Sequence, residues 1–307
     1  LYSPWRIWKV LNDFQPDLIQ VEEEVFSLCA FELAIWARLN NKPLVIFGWE
    51  NMERKLPFLR QFVCHFVLKT ANAIIPGNED GAKVMRHWGY SGLLEVMPQM
   101  GVDTSLFAPK SVERKTDDFN IGFLGRLVQA KGIDILFAAV RHLRDKGIKC
   151  RVTICGSGRD EPDLKQEAEN LGIQDCVVWR GVLRHEQAPE EISQMDVLVL
   201  PSRTTLTWKE QFGHVLIEAM AMGVPVIGSS SGEIPHVIAR SDLVFLEDNI
   251  LGLAAILERL ILDPDWRREV GQYGIDRVQL LYSHQKIAER LINLWQTVLN
   301  IHNKVLS

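Results

Sequence analysis

A chain of 307 residues has room for one large domain or two of medium size. Its hydrophobic fraction of 47% and charged fraction of 24% are those of an ordinary globular protein, and a net charge of −5 gives no global drive toward nucleic acid. Five cysteines without a CxxC pair (Cys29, Cys64, Cys150, Cys155 and Cys176) point to a reducing compartment.

The chain opens on LYSPWRIWKV, which lacks the apolar core and small-residue cleavage site of a signal peptide, so a cytoplasmic location is expected. DLIQVEEE (17–24) and PLVIFGWEN (43–51) read as strands. MERKLPFLRQFVCHFVLK (52–69) clusters basic and aromatic residues. It is either an amphipathic helix facing a membrane or a helix packed into its own domain with a few solvated charges. AIIPGNEDGAKVMRHWG (73–89) reads as strand, turn and helix, and LLEVMPQMGVD (93–103) closes this part. APKSVERKTDD (108–118) is charged, carries a proline and lacks periodicity, so 109–118 is taken as a linker.

Alternation is more regular beyond it. FNIGFLG (119–125), KCRVTICGSG (149–158), DCVVWRG (175–181), DVLVLPS (196–202), a strand from Val224 to Ile227, and LVFLE (243–247) predict six strands. Helices between them imply parallel pairing and a doubly wound sheet, with ligands at the carboxyl ends of the strands. Gly125, Gly156-Ser157-Gly158, Gly181 and Pro201-Ser202 all fall on that rim. Gly156-Ser157-Gly158 is either part of a binding rim or simply a strand-to-helix turn. ILGLAAILERLIL (250–262) is the most apolar run and is broken by Glu258 and Arg259, so it does not span a membrane. Beyond residue 264 the chain reads as helical, with a break near Ser283.

WKEQFGHVLIEAMAMGVPVIGSS (208–230) carries the clearest chemistry. Val215, Leu216, Ala219, Met220 and Met222 recur at helical steps, and Gly223 followed by Pro225 ends the helix. The helix therefore starts near Gly213, and its first amides, including those of His214 and Val215, can bind an anion. Glu210 precedes that start and Glu218 sits about two turns in, so the carboxylates flank the anion. This arrangement suits a phosphate ligand with hydroxyl-bearing groups at both ends. The eight histidines show no metal-ligand spacing, so no metal and no cofactor are expected.

GRLVQAKGIDIL (125–136), EQFGHVLIE (210–218), AMGVPVIGSSSGEIPHVI (221–238) and PQMGVDTSLFAP (98–109) together resemble the retaining GT-B glycosyltransferases of family 4, the glycosyl transferases group 1. The resemblance covers nearly the whole chain. It implies an α/β fold of two Rossmann-like doubly wound domains with parallel sheets, the N-terminal one incomplete. Residues 1–108 would be a partial acceptor-side domain, 119–282 the nucleotide-sugar domain, and 283–307 a helix packing back toward the first domain.

By the same resemblance, Arg126 and Lys131 meet the diphosphate, where a leaving group without a metal must be stabilised by side chains and backbone dipoles. Glu218 would accept the ribose hydroxyls, and Glu210 would hold the transferred sugar. Gly125, Gly156, Phe212, Gly213, His214 and Val215 would shape the cradle, and Val182 and Leu183 would line the base. The donor would be a UDP- or GDP-sugar, and the acceptor a carbohydrate or lipid-linked hydroxyl. Of the two readings of 52–69, the membrane-facing one would give peripheral contact to the inner membrane face. Two departures stand out. Ser231-Gly232-Glu233-Ile234-Pro235-His236 replaces the family's two glycines and Pro-Glu, and Trp49-Glu50-Asn51 replaces a histidine that touches the donor sugar, leaving Glu50 or Asn51 as candidates for its role. A nucleotide-sugar epimerase on the same fold and a silent donor-binding partner of another transferase are the alternatives.

Overall fold

A computed structural model of the chain describes residues 3–109 and 118–306. The predicted linker lies at 110–117 almost entirely, outside the described residues. Two compact units emerge, Leu1–Gln99 with Ile287–Ser307 and Met100–Lys286.

The first unit runs α1 (Pro4–Phe14), β1 (Ile19–Glu22), α2 (Leu28–Leu39), β2 (Leu44–Gly48), α3 (Phe58–Thr70), β3 (Ala73–Pro76), α4 (Glu79–His87) and β4 (Leu93–Leu94). Its four strands pair in chain order, all parallel. Successive residues of β2 feed opposite faces of the sheet, as the strand period of two requires. Leu44 and Ile46 join Trp36, Val67 and Ile74 on one face, while Val45 and Phe47 join Ala73, Ile75, Leu294 and Val298 on the other. Caps fix where the helices start. Ser27 Oγ accepts the Ala30 amide at 3.0 Å, and Asn78 Oδ1 accepts the Gly81 amide at 2.7 Å with Glu79 and Asp80 in the first turn. The stretch 52–69 is divided along its length: Val63, Cys64, Val67 and Leu68 of α3 are buried, whereas its first turn is exposed.

The second unit contains β5 (Asn120–Leu124), α5 (Ile133–Asp145), β6 (Arg151–Cys155), α6 (Glu161–Asn170), β7 (Val177–Gly181), α7 (Ala188–Ser193), β8 (Val197–Leu200), α8 (His214–Ala221), β9 (Val226–Ser229), α9 (Ile234–Ile238), β10 (Val244–Phe245), α10 (Ile250–Leu262) and α11 (Pro264–Leu281). The sheet order is β10-β9-β8-β5-β6-β7, parallel throughout. All six predicted strands are present, with one shift. The strand expected from Val224 to Ile227 runs instead from Val226 to Ser229, because the Val224 amide still bonds to Ala219 O at 3.0 Å and closes α8.

The helical break near Ser283 separates α11 from α12 (His284–Leu306). It is held by Val102, whose amide donates to Tyr282 O at 2.8 Å and whose carbonyl accepts from His284 N at 3.0 Å. A Cβ on Gly101 would fall 2.3 Å from Tyr282 O, so the MGVD segment needs its glycine there. Further along α12, within the first unit, Arg290 Nη2 donates to Glu95 Oε1 at 2.6 Å and Trp295 Nε1 to Gln20 Oε1 at 2.8 Å.

Candidate functional site

Strand order in the second unit reverses between β5 and β8. The chain winds outward from β5 through β6 to β7, then returns to β8 and winds the other way to β10. The crevice beyond the carboxyl ends of strands at such a reversal is where doubly wound sheets take ligands. The predicted residues collect there. Gly125, Arg126 and Lys131 follow β5, Ser202 and Glu210 follow β8, and α8 starts from the same loop.

Glycines let the rim loops pack backbone on backbone. Gly156 has φ +138°, and a Cβ there would sit 1.9 Å from Gly125 O. A Cβ on Gly158 would sit 2.1 Å from Leu127 O. The loops are stitched by Gly125 N to Cys155 O at 3.0 Å and Leu127 N to Ser157 O at 2.9 Å. Gly156-Ser157-Gly158 is thus a close-approach turn that shapes the crevice. Gly156→Ala is expected to cost about 3 kcal/mol of unfolding free energy, from positive-φ strain plus overpacking. Urea denaturation measures it, and an unchanged midpoint would mean that the two loops separate freely.

Glu210 is the centre of the site. It is buried, and its Oε2 accepts from Lys131 Nζ at 2.6 Å and from Ser202 Oγ at 2.7 Å. Lys131 is held on a second side by Trp208, whose ring lies 5.1 Å from Nζ. Lys131, expected to meet a diphosphate, is ion-paired in this structure. Its ammonium is committed to Glu210, and Gly132 at φ +66° ends a single 3-10 turn before α5 begins at Ile133. The two charges pair because both side chains are nearly out of water, 13% and 9% exposed, where an unpaired charge is costly. Arg126 differs: its side chain is exposed and has no partner among the described residues.

Gly213 starts α8 at φ +82° and gives the first turn no side-chain cap hydrogen bond. Phe212 is buried against Tyr282 and His214, with ring centroids 5.6 and 4.9 Å away. Burial pushes the His214 pKa down against the opposing charge of Glu210. Glu218 is the fifth residue of α8, little more than one turn in rather than two. Burial raises its pKa, with the charge of His185 opposing, and no hydrogen-bond partner occupies it among the described residues. His185 packs at a tilt against Phe107, ring centroids 5.3 Å apart, and follows Val182 and Leu183, which extend the rim beyond β7. Val182 is 71% exposed.

Glu50 and Asn51 lie in the first unit, buried just past the end of β2. Glu50 Oε1 accepts the Met52 amide at 3.2 Å and Oε2 pairs with Arg54 at 2.9 Å. Their loop is fastened by Glu24, whose Oε1 accepts the Trp49 and Glu50 amides at 2.8 and 3.0 Å. Burial raises the Glu24 pKa despite those amides.

Several supporting residues had no local signal. Arg203 holds Asp134 with two bonds of 2.6 Å and Asp248 with one of 2.5 Å, tying the loop after β8 to the start of α5. Thr204 bonds Ser231 Oγ at 3.0 Å and Glu247 at 2.6 Å, which places the serine-rich loop after β9. Among the described residues no three His, Cys, Asp or Glu side chains come together as a metal site.

A doubly wound parallel sheet whose order reverses between β5 and β8, with the predicted residues gathered at that rim, defines a Rossmann-like α/β unit. Residues 106–277, more than half of the chain, match the family described as glycosyl transferases group 1, and the protein belongs to that family. Relatives include the gpi3 subunit of phosphatidylinositol N-acetylglucosaminyltransferase from Schizosaccharomyces pombe, 29% identical over 64% of this chain and 42% of that protein. D-inositol 3-phosphate glycosyltransferase of Corynebacterium jeikeium is 30% identical over 66% of this chain and 51% of that protein. The chain spans about half the length of the curated relatives it matches. Among solved structures, HepE of Anabaena in complex with UDP superposes with a TM-score of 0.79 at 20% identity, covering 94% of this chain and 82% of that one. At that identity the likeness gives the fold, which is GT-B with two Rossmann-like units.

Proposed function

We propose that the protein is a retaining, metal-independent hexosyltransferase of the family 4 type. It moves a hexose-type sugar from a nucleoside diphosphate sugar to an acceptor hydroxyl of a polysaccharide, glycolipid or similar glycoconjugate in the cytoplasm. The observation that carries this reading is the buried Ser202–Glu210–Lys131 cluster beside the uncapped start of α8, at the reversal of the sheet. It gathers one carboxylate, one cation and one hydroxyl beside that helix start, which supports a site for a diphosphate and a sugar. The names of the relatives, a phosphatidylinositol N-acetylglucosaminyltransferase subunit and a D-inositol 3-phosphate glycosyltransferase, support a glycolipid or polyol acceptor, and the UDP and UDP-glucose complexes of HepE make a UDP-sugar the first donor to try.

In this reading the amides of His214 and Val215, with Gly213, cradle the diphosphate while Arg126 clamps it bidentately. Lys131 shifts from Glu210 toward the phosphate as charge develops there, and Glu210 is released to hold the transferred sugar's hydroxyls. Glu218 accepts the ribose hydroxyls; Val182 and Leu183 lie along the base, with Gly125, Gly156 and Phe212 forming the walls. The bond from anomeric carbon to phosphate oxygen breaks, the acceptor oxygen bonds from the same face, and its proton passes to the leaving phosphate.

A thermal-shift panel of UDP, GDP and ADP with their sugars tests the reading. The right ligand at a hundred times its Kd adds about 2.7 kcal/mol. Silence across the panel would sink it. Since Arg126, Lys131 and a helix N-terminus supply the positive charge, turnover is expected to persist in EDTA. Activity that vanishes in EDTA and returns with Mg²⁺ would overturn the metal-independent account.

A further inference from the structure

The loop between β8 and α8 holds a large aromatic ring, Trp208, in the crevice without using it in the core. Thr204 to Thr207 are exposed, yet the loop is firmly built. Thr205 Oγ1 accepts the Thr207 and Trp208 amides at 3.3 and 3.0 Å, and the Thr205 amide donates to Trp208 O at 2.7 Å. Thr204 anchors the base of this turn by donating to Glu247 from its amide and from its hydroxyl, each at 2.6 Å. Leu206, at the tip, is 98% exposed, whereas Trp208 is half-buried. The braced turn fixes where the ring of Trp208 stands.

What that ring faces decides its role. The Lys131 ammonium lies over it, with Nζ 5.1 Å from a ring centroid, and the same ammonium donates to Glu210 Oε2 at 2.6 Å. One small group thus touches a carboxylate oxygen and an aromatic face together. A diphosphate would be repelled by both, since the carboxylate is an anion and the face of an indole is electron-rich. A pyranose suits both. Its hydroxyl donates to the carboxylate, and the polarised C–H bonds next to that hydroxyl are drawn to the ring face by the quadrupole that also holds an ammonium.

We propose that Trp208 is the platform for the transferred sugar. When Lys131 turns to the diphosphate, the pyranose takes the place of its ammonium, with a hydroxyl on Glu210 and a C–H face on the Trp208 ring. The proposal rests on the donor-site reading of this crevice and adds to it a residue that reads the sugar's ring, where Glu210 reads its hydroxyls. Sugars with an unobstructed apolar face are therefore preferred over those that turn an axial hydroxyl toward the indole.

The test is calorimetry on wild type, Trp208→Leu, Trp208→Tyr and Leu206→Ser. The ligands are UDP with UDP-glucose, GDP with GDP-mannose and ADP with ADP-glucose, and the pair that wild type binds most tightly is carried through the variants. Trp208→Leu should weaken the nucleotide sugar about tenfold and leave the free nucleotide within about twofold, because only the sugar meets the ring. Trp208→Tyr keeps an aromatic face and should recover most of that loss. Leu206→Ser lies on the same turn and should change neither affinity. A loop that merely braces the crevice would cost both ligands alike. If Trp208→Leu does not fold, fluorine NMR of the protein labelled with fluorotryptophan carries the test. The resonance missing from Trp208→Tyr should then move with the nucleotide sugar and stay in place with the nucleotide alone. Equal losses for the two ligands, no loss in Trp208→Leu, the same loss in Leu206→Ser, or a resonance that moves equally with both would overturn the proposal while leaving the donor-site reading standing. A wild type that binds none of the pairs would sink that reading and the platform with it.

Discussion

Arg126→Ala is expected to lower the transfer rate by roughly 10²–10³, the usual consequence of removing one charge-stabilising donor from a developing anion. The fold should not notice. Arg126 follows Gly125 at the end of β5, is exposed, and has no partner among the described residues, so truncating it strands no buried group. A guanidinium left unpaired at the rim of a ligand crevice is available for a phosphate in a way that Arg203, bound to Asp134 and Asp248, is not. Initial rates with the donor identified by the thermal-shift panel, measured beside the melting temperature, separate the two effects. Full activity at unchanged stability would place Arg126 outside the site.

Lys131→Met has the opposite signature, a large loss of stability. It leaves Glu210 buried with the Ser202 hydroxyl and without the ammonium that neutralises it. Breaking a buried pair from one side costs about 3 kcal/mol or more, a sizeable share of the 5–15 kcal/mol that holds a typical domain. Lys131→Met with Glu210→Gln should recover most of that loss, because the remaining amide carries no charge. Urea denaturation of wild type, both single variants and the double closes the cycle. A Lys131→Met variant that loses less than about 1 kcal/mol would mean that Glu210 is hydrated or protonated, and that the ion pair does not organise the crevice.

Much of this site was readable from local pattern. Gly213 and Gly223 bracket α8 because both positions need positive φ, at +82° and +74°, and the predicted anion-binding start follows from the first of them. Strand identities were readable for the same reason: β8 and its neighbours are short apolar runs ending in glycine, proline or serine. Strand order was not. Nothing local says that β8 lies beside β5, and that neighbour relation creates the crevice. The bond between Lys131 and Glu210 joins positions 79 residues apart, so each residue was identified separately while their pairing was not. Ser202 was placed on the rim without its bond to Glu210. Glu24 was missed altogether, because a carboxylate that accepts two amides from the next strand's loop looks in sequence like one more charge in an acidic run. Gly156 could be read two ways until the Gly125 carbonyl beside it excluded any side chain.

The division of labour between Glu218 and Glu210 is the centre of the account, and calorimetry tests it most directly. The nucleoside diphosphate that gives the largest thermal shift is titrated into wild type, Glu218→Gln and Glu210→Gln. Glu218, half-buried and without a hydrogen-bond partner among the described residues, is available to the ribose, so Glu218→Gln should weaken the nucleotide and its sugar alike. Glu210→Gln frees Lys131 for phosphate and should not weaken the nucleotide, while kcat falls because the lost contact is one that strengthens in the transition state. Equal losses of nucleotide affinity in the two variants would contradict the account.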